Sequence, residues 1–346
     1  MIKPKKTSEA DTPKEELPLK QKVSNVIDDY PELYHYTTAI GLQGIISSNS
    51  LWATHFEYIN DSQEFKGYFQ HRLPAILHEC ILTPIKESYN TDMLVKRRLD
   101  ETGGLDASMK IIEDDLVEAI TRALQTVYEP YFFSFSGATK QAPDDGLLSQ
   151  WRGYGSDGGY AIVFDTKGID ELIKEEVAKY HYTGVHWGEV HYHDHRSNVK
   201  SVLPEVQILE KEVIDALTKY MYSTKIADLE SIIIPVLGLS TMYKHIGFRE
   251  EAEVRIVAIP IKSEFKAKID KNLNQKLEFK NYILNIKNGT LVPVIELKGA
   301  KKLPIIKVIV GPHPDKLKRK KSVEIMLQQY GIGAKVIVSD IPYIGK

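Results

Sequence analysis

Apolar residues recur along this chain with two periods, about 3.6 and 2, and three short islands interrupt the second of them. Leu33-Tyr34-His35-Tyr36-Thr37-Thr38, Phe133-Ser134-Phe135-Ser136 and Glu251-Ala252-Glu253-Val254-Arg255 have strand-like composition but carry polar side chains where a buried strand would be apolar. With period two, His35 and Thr37 share one face, Ser134 and Ser136 another, and Glu251, Glu253 and Arg255 a third, while Ala252, Val254 and Ile256 point to the core. Polar faces repeated on apolar strands indicate a cleft.

The same periodicities predict the surrounding elements. A strand over Leu33 to Thr37 leads into a short helix over Ala39 to Ser48, with Leu42, Ile45 and Ile46 inward, then a turn at Ser48-Asn49-Ser50 and a strand over Leu51 to Thr54. Helical spacing from about Gln63 to Tyr128, broken at Asn90-Thr91-Asp92 and Gly103-Gly104, predicts three or four helices. Strands are expected over Tyr131 to Ser136 and Tyr160 to Asp165, joined by a polar, glycine-rich loop from Gly137 to Gly159 that holds Trp151, Arg152 and Tyr154.

A further strand is expected near Gly188 to His193, helices across Leu203 to Tyr222 and Ala227 to Lys244, and a strand over Val254 to Ile259. Pro304 to Val310, Pro314 to Gln329 and Lys335 to Ser339 read as strand, helix and strand. The chain shows no internal repeat, and strands do not alternate with helices regularly enough for a doubly wound sheet, so the expected class is α+β. Residues 1–22 are rich in Lys, Glu, Pro and Thr and are expected to form a disordered polar tail. Residues 23–346 are expected to form a single domain, with a helical insertion over 63–130 and a β-α-β module over 300–346.

Composition narrows the setting. With 346 residues, 42% of them hydrophobic and 27% charged, the chain is long enough for a substantial core. A formal net charge of −2 provides no global field toward nucleic acid or anionic lipid. Cys80 is the single cysteine, which excludes an intramolecular disulfide and a cysteine-rich zinc site and fits a reducing compartment. No apolar run reaches the roughly eighteen residues of a membrane span, and the first 22 residues lack a signal-peptide apolar core. A bacterial-type cytoplasmic protein with no membrane partner is expected.

Two carboxylates on one strand face suit chemistry through an oxocarbenium-like sugar cation, because fixed negative charge beside developing positive charge lowers the barrier. Glu253 could instead pair with Arg255 as a surface ion pair worth under about 1 kcal/mol. His35 could be a satisfied core histidine, or with Thr37 could meet a ligand hydroxyl. Ser134 and Ser136 are ordinary edge hydroxyls unless burial demands partners. Trp151, Arg152 and Tyr154 offer stacking faces and a cation for a base or pyrophosphate, although Trp151 could equally plug the core.

Asn60-Asp61 with Glu64 reads as a helix cap, and alternatively as acidic groups facing the cleft. His191, His193 and His195 alternate along a strand that frays into a polar loop; no carboxylate or cysteine completes a shell, and no metal is expected. Lys316, Lys318, Arg319, Lys320 and Lys321 form a basic run that reads as a solvated helix face, or as a phosphate contact.

Leu33 to Thr38, Asn60 to Glu64, Ser134 to Ser136, Trp151-Arg152-Gly153-Tyr154-Gly155, Gly159 to Asp165, Glu251 to Val257 and the ending from Val310-Gly311-Pro312 to Tyr343 resemble the recurring blocks of a bacterial domain-of-unknown-function family, numbered twenty-nine seventy-one. The same blocks resemble the three-motif order of ADP-ribosyltransferases: Arg or His on the first strand, a Ser-x-Ser or Tyr edge, then a Glu, often as Glu-x-Glu. His35, Ser134-Phe135-Ser136 and Glu251-Ala252-Glu253 fill those places in order.

That resemblance implies a split β-sheet core and NAD as substrate. It further implies that Glu253 is catalytic on the nicotinamide ribose, that Glu251 orients the acceptor, that His35 holds the adenosine ribose and that Ser134 or Ser136 orients Glu253. Tyr36, Trp151 and Tyr154 are its candidates for the nicotinamide-stacking aromatic. The expected activity is a mono-ADP-ribosyltransferase or NAD glycohydrolase of bacterial toxin or antiphage-defence type, with a protein or nucleic-acid acceptor and a possible neutralising partner. The alternatives are an inactive nucleotide- or nucleic-acid-binding module, and a nuclease-like toxin using Asp61, Glu64 and the carboxylate pair with a divalent metal.

Overall fold

The computed structural model describes residues 24–59, 67–126, 128–137, 144–155, 158–193, 204–223, 226–265, 277–287 and 289–342. The polar tail over 1–22, the Asn60 to Glu64 segment, His195 and Tyr343 lie outside the described residues. After helix α1 (Ser24–Asp29), strand β1 (Glu32–Thr37) feeds helix α2 (Ala39–Ser48) and strand β2 (Leu51–His55). Thr38 caps α2 by accepting from the Gly41 N–H at 3.3 Å, and Asn49 ends it in the left-handed region at φ 50°. Leu42, Ile45 and Ile46 are its buried residues, as their spacing predicts.

A π-helical turn (Tyr68–Arg72) precedes α3 (Leu73–Thr91), α4 (Met93–Glu101) and α5 (Leu105–Thr126). Strand β3 (Tyr131–Ser136) follows, then α6 (Leu148–Tyr154), β4 (Tyr160–Asp165), α7 (Thr166–Lys179), β5 (Tyr182–Glu189) and β6 (His191–His193). Helices α8 (Pro204–Ser223) and α9 (Ile226–Thr241) lead to β7 (Tyr243–His245) and β8 (Glu253–Pro260). The chain then runs through β9 (Tyr282–Lys287), β10 (Thr290–Leu297), β11 (Ile305–Val310), α10 (Lys316–Gln329) and β12 (Lys335–Val338). The class is mixed α+β, built on a mostly antiparallel open sheet.

That sheet has the order β12-β11-β4-β1-β3-β2-β10-β9, with β8 on the far edge of β3 and β5 beyond it. Strand β3 pairs with β8 along its whole length, from Tyr131↔Ala258 to Ser136↔Glu253. Its other edge is divided between two strands: β2 takes Tyr131 and Phe132, and β1 takes Ser136. Between those two pairings β1 and β2 diverge, and the sheet opens.

The two faces are covered differently. Helices α2, α7 and α10 bury Leu42, Ile169 and Val323 against one face, with Phe133, Ile162 and Ile256 beneath them. On the other face the helical block over 67–126 and 204–241 packs on Phe132, Val257 and Ile259, while α6 buries Trp151 on Tyr34, Tyr36 and Ile309. The gap between these two covers lies over the C-terminal half of β3.

Two expectations are corrected, and one hairpin is added to the elements expected. The helix expected to reach Lys244 ends at Thr241, because Tyr243–His245 pairs in parallel with His191–His193 as a separate two-stranded sheet. Glu251 is not on a strand with Glu253: it ends a 3-10 turn (Ile246–Glu251), and Ala252, at φ 41°, breaks the chain between the two. The β9–β10 hairpin was not anticipated, although Asn288-Gly289 between alternating strands is a turn signal and Gly289 has φ 78°. Among the described residues no helix is long and apolar enough to cross a membrane.

The glycine-rich stretch after α6 serves a tight backbone crossing. The Gly311 N–H donates to the Gly159 carbonyl at 3.0 Å, and a Cβ on Gly311 would lie 1.7 Å from the Gly158 carbonyl oxygen. That neighbour is backbone and cannot swing away. Gly311→Ala is expected to lower stability by about 1–3 kcal/mol, read as a shift in the urea midpoint at unchanged slope.

Candidate functional site

The opening between β1 and β2 is a cavity of about 660 Å3, within the range of small-molecule sites, about 300–1,000 Å3. Its lining draws on both faces of the sheet: His35 and Thr37 from β1, Ser134 and Ser136 from β3, Glu251 and Glu253 from the β8 end. Tyr36 and Tyr154 also contribute. Trp151 and Arg152 do not line it. Trp151 is fully buried, edge-on to Tyr36 at 4.8 Å, with its Nε1–H donated to the Asp145 carbonyl at 2.9 Å, and so fills the core beneath α6. Arg152 is exposed on the outer side of that helix.

His35 owes its place to the divergence of the strands. The Ser134 carbonyl faces the stretch of β3 that neither β1 nor β2 pairs, and the His35 Nδ1 lies 2.9 Å from it. A carbonyl only accepts, so Nδ1 carries the proton and Nε2 keeps its lone pair. The ring stacks on Phe133 at 4.3 Å. Burial pulls the imidazole down to about 4, against the opposing pull of the Ser134 hydrogen bond, so it is neutral at pH 7.

Glu253 sits in a buried ion cluster. Its Oε1 accepts from Arg255 Nε and its Oε2 from Lys244 Nζ, each at 2.8 Å, and Lys244 reaches Glu251 Oε2 at 2.7 Å. The Lys244 side chain is 1% exposed, with Nζ 5.0 Å from the Phe248 ring centroid. Arg255 also donates to the Thr241 carbonyl at 2.8 Å. Burial alone would push the Glu253 carboxyl up, but Arg255 and Lys244 outweigh it and hold the group at about 2. The Glu253–Arg255 pair is therefore real but buried, not on the surface as one sequence reading had it.

Ser136 stands opposite Glu253 in the β3–β8 register, yet its Oγ donates to the Glu251 backbone carbonyl at 2.8 Å. It anchors the turn that carries Glu251. The groups that hold the Glu253 carboxylate are Lys244 and Arg255, in place of the serine expected from the motif. The Tyr192 hydroxyl accepts from the Glu253 backbone N–H at 2.8 Å and fixes the start of β8.

Sequence reasoning missed Lys244 and Gln150. The sequence pattern places Lys244 at a helix end, where a lysine carries no signal, and only the fold brings it under two glutamates seven and nine residues later. Gln150 is buried in the cavity wall, and the polarity of the stretch from Gly137 to Gly159 masks its position. Periodicity could have found it, since Gln150, Gly153 and Tyr154 follow helical spacing. Of the alternating histidines, His191 and His193 share β6. Among the described residues no group of three or more His, Cys, Asp or Glu side chains is arranged to hold a metal ion.

These features define a mixed α+β protein with a polar cavity where its sheet divides. Residues 150–256 match the family described as Protein of unknown function (DUF2971), and this stretch belongs to that family. It includes Gln150, Lys244 and the Glu251 to Arg255 segment, whereas His35 and Ser134 to Ser136 precede it. No curated protein and no solved structure matches the chain.

Removing one partner of a buried ion cluster strands the others. Lys244→Met is expected to cost about 3–5 kcal/mol at pH 7. Glu253 then loses a cation that lowers its folded-state value, so the deficit shrinks as pH falls and the carboxyl takes up a proton; urea midpoints at pH 7 and pH 4 measure both effects. His35→Phe leaves the Ser134 carbonyl without its donor and is expected to cost about 1–3 kcal/mol, with His35→Asn recovering part of the loss in the same assay.

Proposed function

We propose that this protein is an NAD-consuming enzyme, a mono-ADP-ribosyltransferase or NAD glycohydrolase of bacterial toxin or defence type, acting through an ADP-ribosyltransferase-like split sheet. The observation that carries this reading is that His35, Ser134 and Glu253, remote in sequence but matching the three-motif order, line one cavity at a division of the sheet.

The electrostatics favour a fixed anion over an acid. Held at about 2, Glu253 is ionised across the neutral range and cannot donate a proton. Each of its oxygens accepts one hydrogen bond from Lys244 or Arg255 and has further acceptor capacity for a ribose hydroxyl. In this reading the bond between the ribose C1′ and the nicotinamide nitrogen breaks, with the electron pair leaving on nicotinamide. Glu253 stabilises the resulting oxocarbenium charge. Water, or a nucleophile of the protein or nucleic-acid acceptor, then adds to C1′ and releases a proton. Neutral His35, with an acceptor nitrogen at Nε2, suits a second ribose hydroxyl.

One observation favours a second reading, an inactive nucleotide-binding module: both carboxylate oxygens of Glu253 are already engaged by cations. The nuclease alternative rests on Asp61 and Glu64, which lie outside the described residues. Incubation with NAD should release nicotinamide, and Glu253→Gln should lower the rate by about 10²–10³-fold with NAD still bound in calorimetry. Binding without release from the wild type would instead establish the inactive module.

A further inference from the structure

Helix α6 presents two opposed faces. Trp151 turns into the core against Tyr36, while Gln150, Gly153 and Tyr154, at i, i+3 and i+4, turn to the cavity. Gln150 is 5% exposed, and its side-chain amide makes no hydrogen bond with any described residue. The amide opens to the cavity and is not sealed from it, and a primary amide can donate two hydrogen bonds and accept two. Gly153 is exposed, and a Cβ placed on it would meet nothing within 4 Å among the described residues, so this face of the helix leaves open space at the cavity.

An unpartnered carboxamide, an open slot and an aromatic ring on one helix face match a specific ligand chemistry. The Gln150 oxygen accepts while its NH2 donates, which complements a planar ring that carries a donor and an acceptor side by side. Tyr154 and the space over Gly153 suit the stacked faces of such a ring. We infer that Gln150 is the specificity-determining residue of the cavity, reading the donor–acceptor edge of a planar heteroaromatic group by a paired hydrogen bond, with Gly153 and Tyr154 forming the slot that holds the ring. This rests on the reading that the cavity takes NAD, whose adenine edge and nicotinamide carboxamide share that chemistry.

Neither the motif order nor the family match assigns Gln150 a role. Because its amide makes no hydrogen bond with any described residue, its removal should leave folding intact, unlike removal of Lys244 or His35. Gly153→Leu should fill the slot and, by replacing a helical glycine, raise the melting temperature. A loss of binding in that variant is therefore separable from a loss of fold.

The test is calorimetry and nicotinamide release with wild type, Gln150→Ala and Gly153→Leu, using NAD, nicotinic acid adenine dinucleotide and nicotinamide hypoxanthine dinucleotide. Gln150→Ala is expected to weaken NAD binding at least tenfold at unchanged melting temperature, and Gly153→Leu to abolish it. The wild type should bind one analogue at least tenfold more weakly than NAD, and Gln150→Ala should lose that preference. A deficit with the nicotinic acid analogue assigns Gln150 to the nicotinamide end, and one with the hypoxanthine analogue assigns it to adenine.

Wild-type-like NAD binding by Gln150→Ala, or equal wild-type binding of all three dinucleotides, overturns the inference while leaving NAD cleavage by Glu253 standing. Nucleotide bound but no nicotinamide released overturns the catalytic reading, and Gln150 is then judged on binding alone. A wild type that binds none of the three dinucleotides overturns both.

Discussion

One edge of β3 has to serve two strands, and the rest of the molecule is arranged around that constraint. Where β1 and β2 part, the β3 backbone loses its ladder on one side, and a buried carbonyl without a partner is not tolerated in a stable fold. His35 supplies that partner from the neighbouring strand through a side chain. The divergence thus creates the cavity and dictates the polar residue at its throat. Structural and ligand-binding roles of His35 are compatible, because one ring nitrogen is committed to the protein and the other is not.

The covers of the sheet follow from the same division. A continuous layer of helices would close the opening, and the chain instead provides two separate ones, the helical block over Phe132 and Val257 and the short helix α6 over Tyr34 and Tyr36. The Tyr36 hydroxyl accepts from the Leu147 N–H at 2.9 Å and pins the start of α6. Gly146, at φ 73°, makes the preceding turn against Trp151 and Tyr36, where a side chain would collide with both rings. The wall that carries Gln150 is thereby anchored to the strand that carries His35.

Much of this was legible locally. The strands over Tyr131 to Ser136 and Tyr160 to Asp165 and the helix over Ala39 to Ser48 follow from short-range pattern, and all three stand where the pattern puts them. The candidates that converge on the cavity were legible as polar interruptions of apolar strands. What resisted was non-local or strained. A left-handed alanine between Glu251 and Glu253 has no sequence signature, because that conformation favours glycine or asparagine. Trp151 and Arg152 illustrate the converse: adjacent residues in one motif are parted by the helix that contains them, one to the core and one to solvent.

The ion cluster has one further consequence. Glu251 and Glu253 are balanced by Lys244 and Arg255, so this wall of the cavity sums to no net charge. A wall of that kind projects little long-range field, and it neither draws in nor repels a charged ligand from beyond a Debye length of about 8–10 Å in physiological salt. This wall therefore adds little ionic-strength dependence to encounter, and its own discrimination begins only once the ligand touches it.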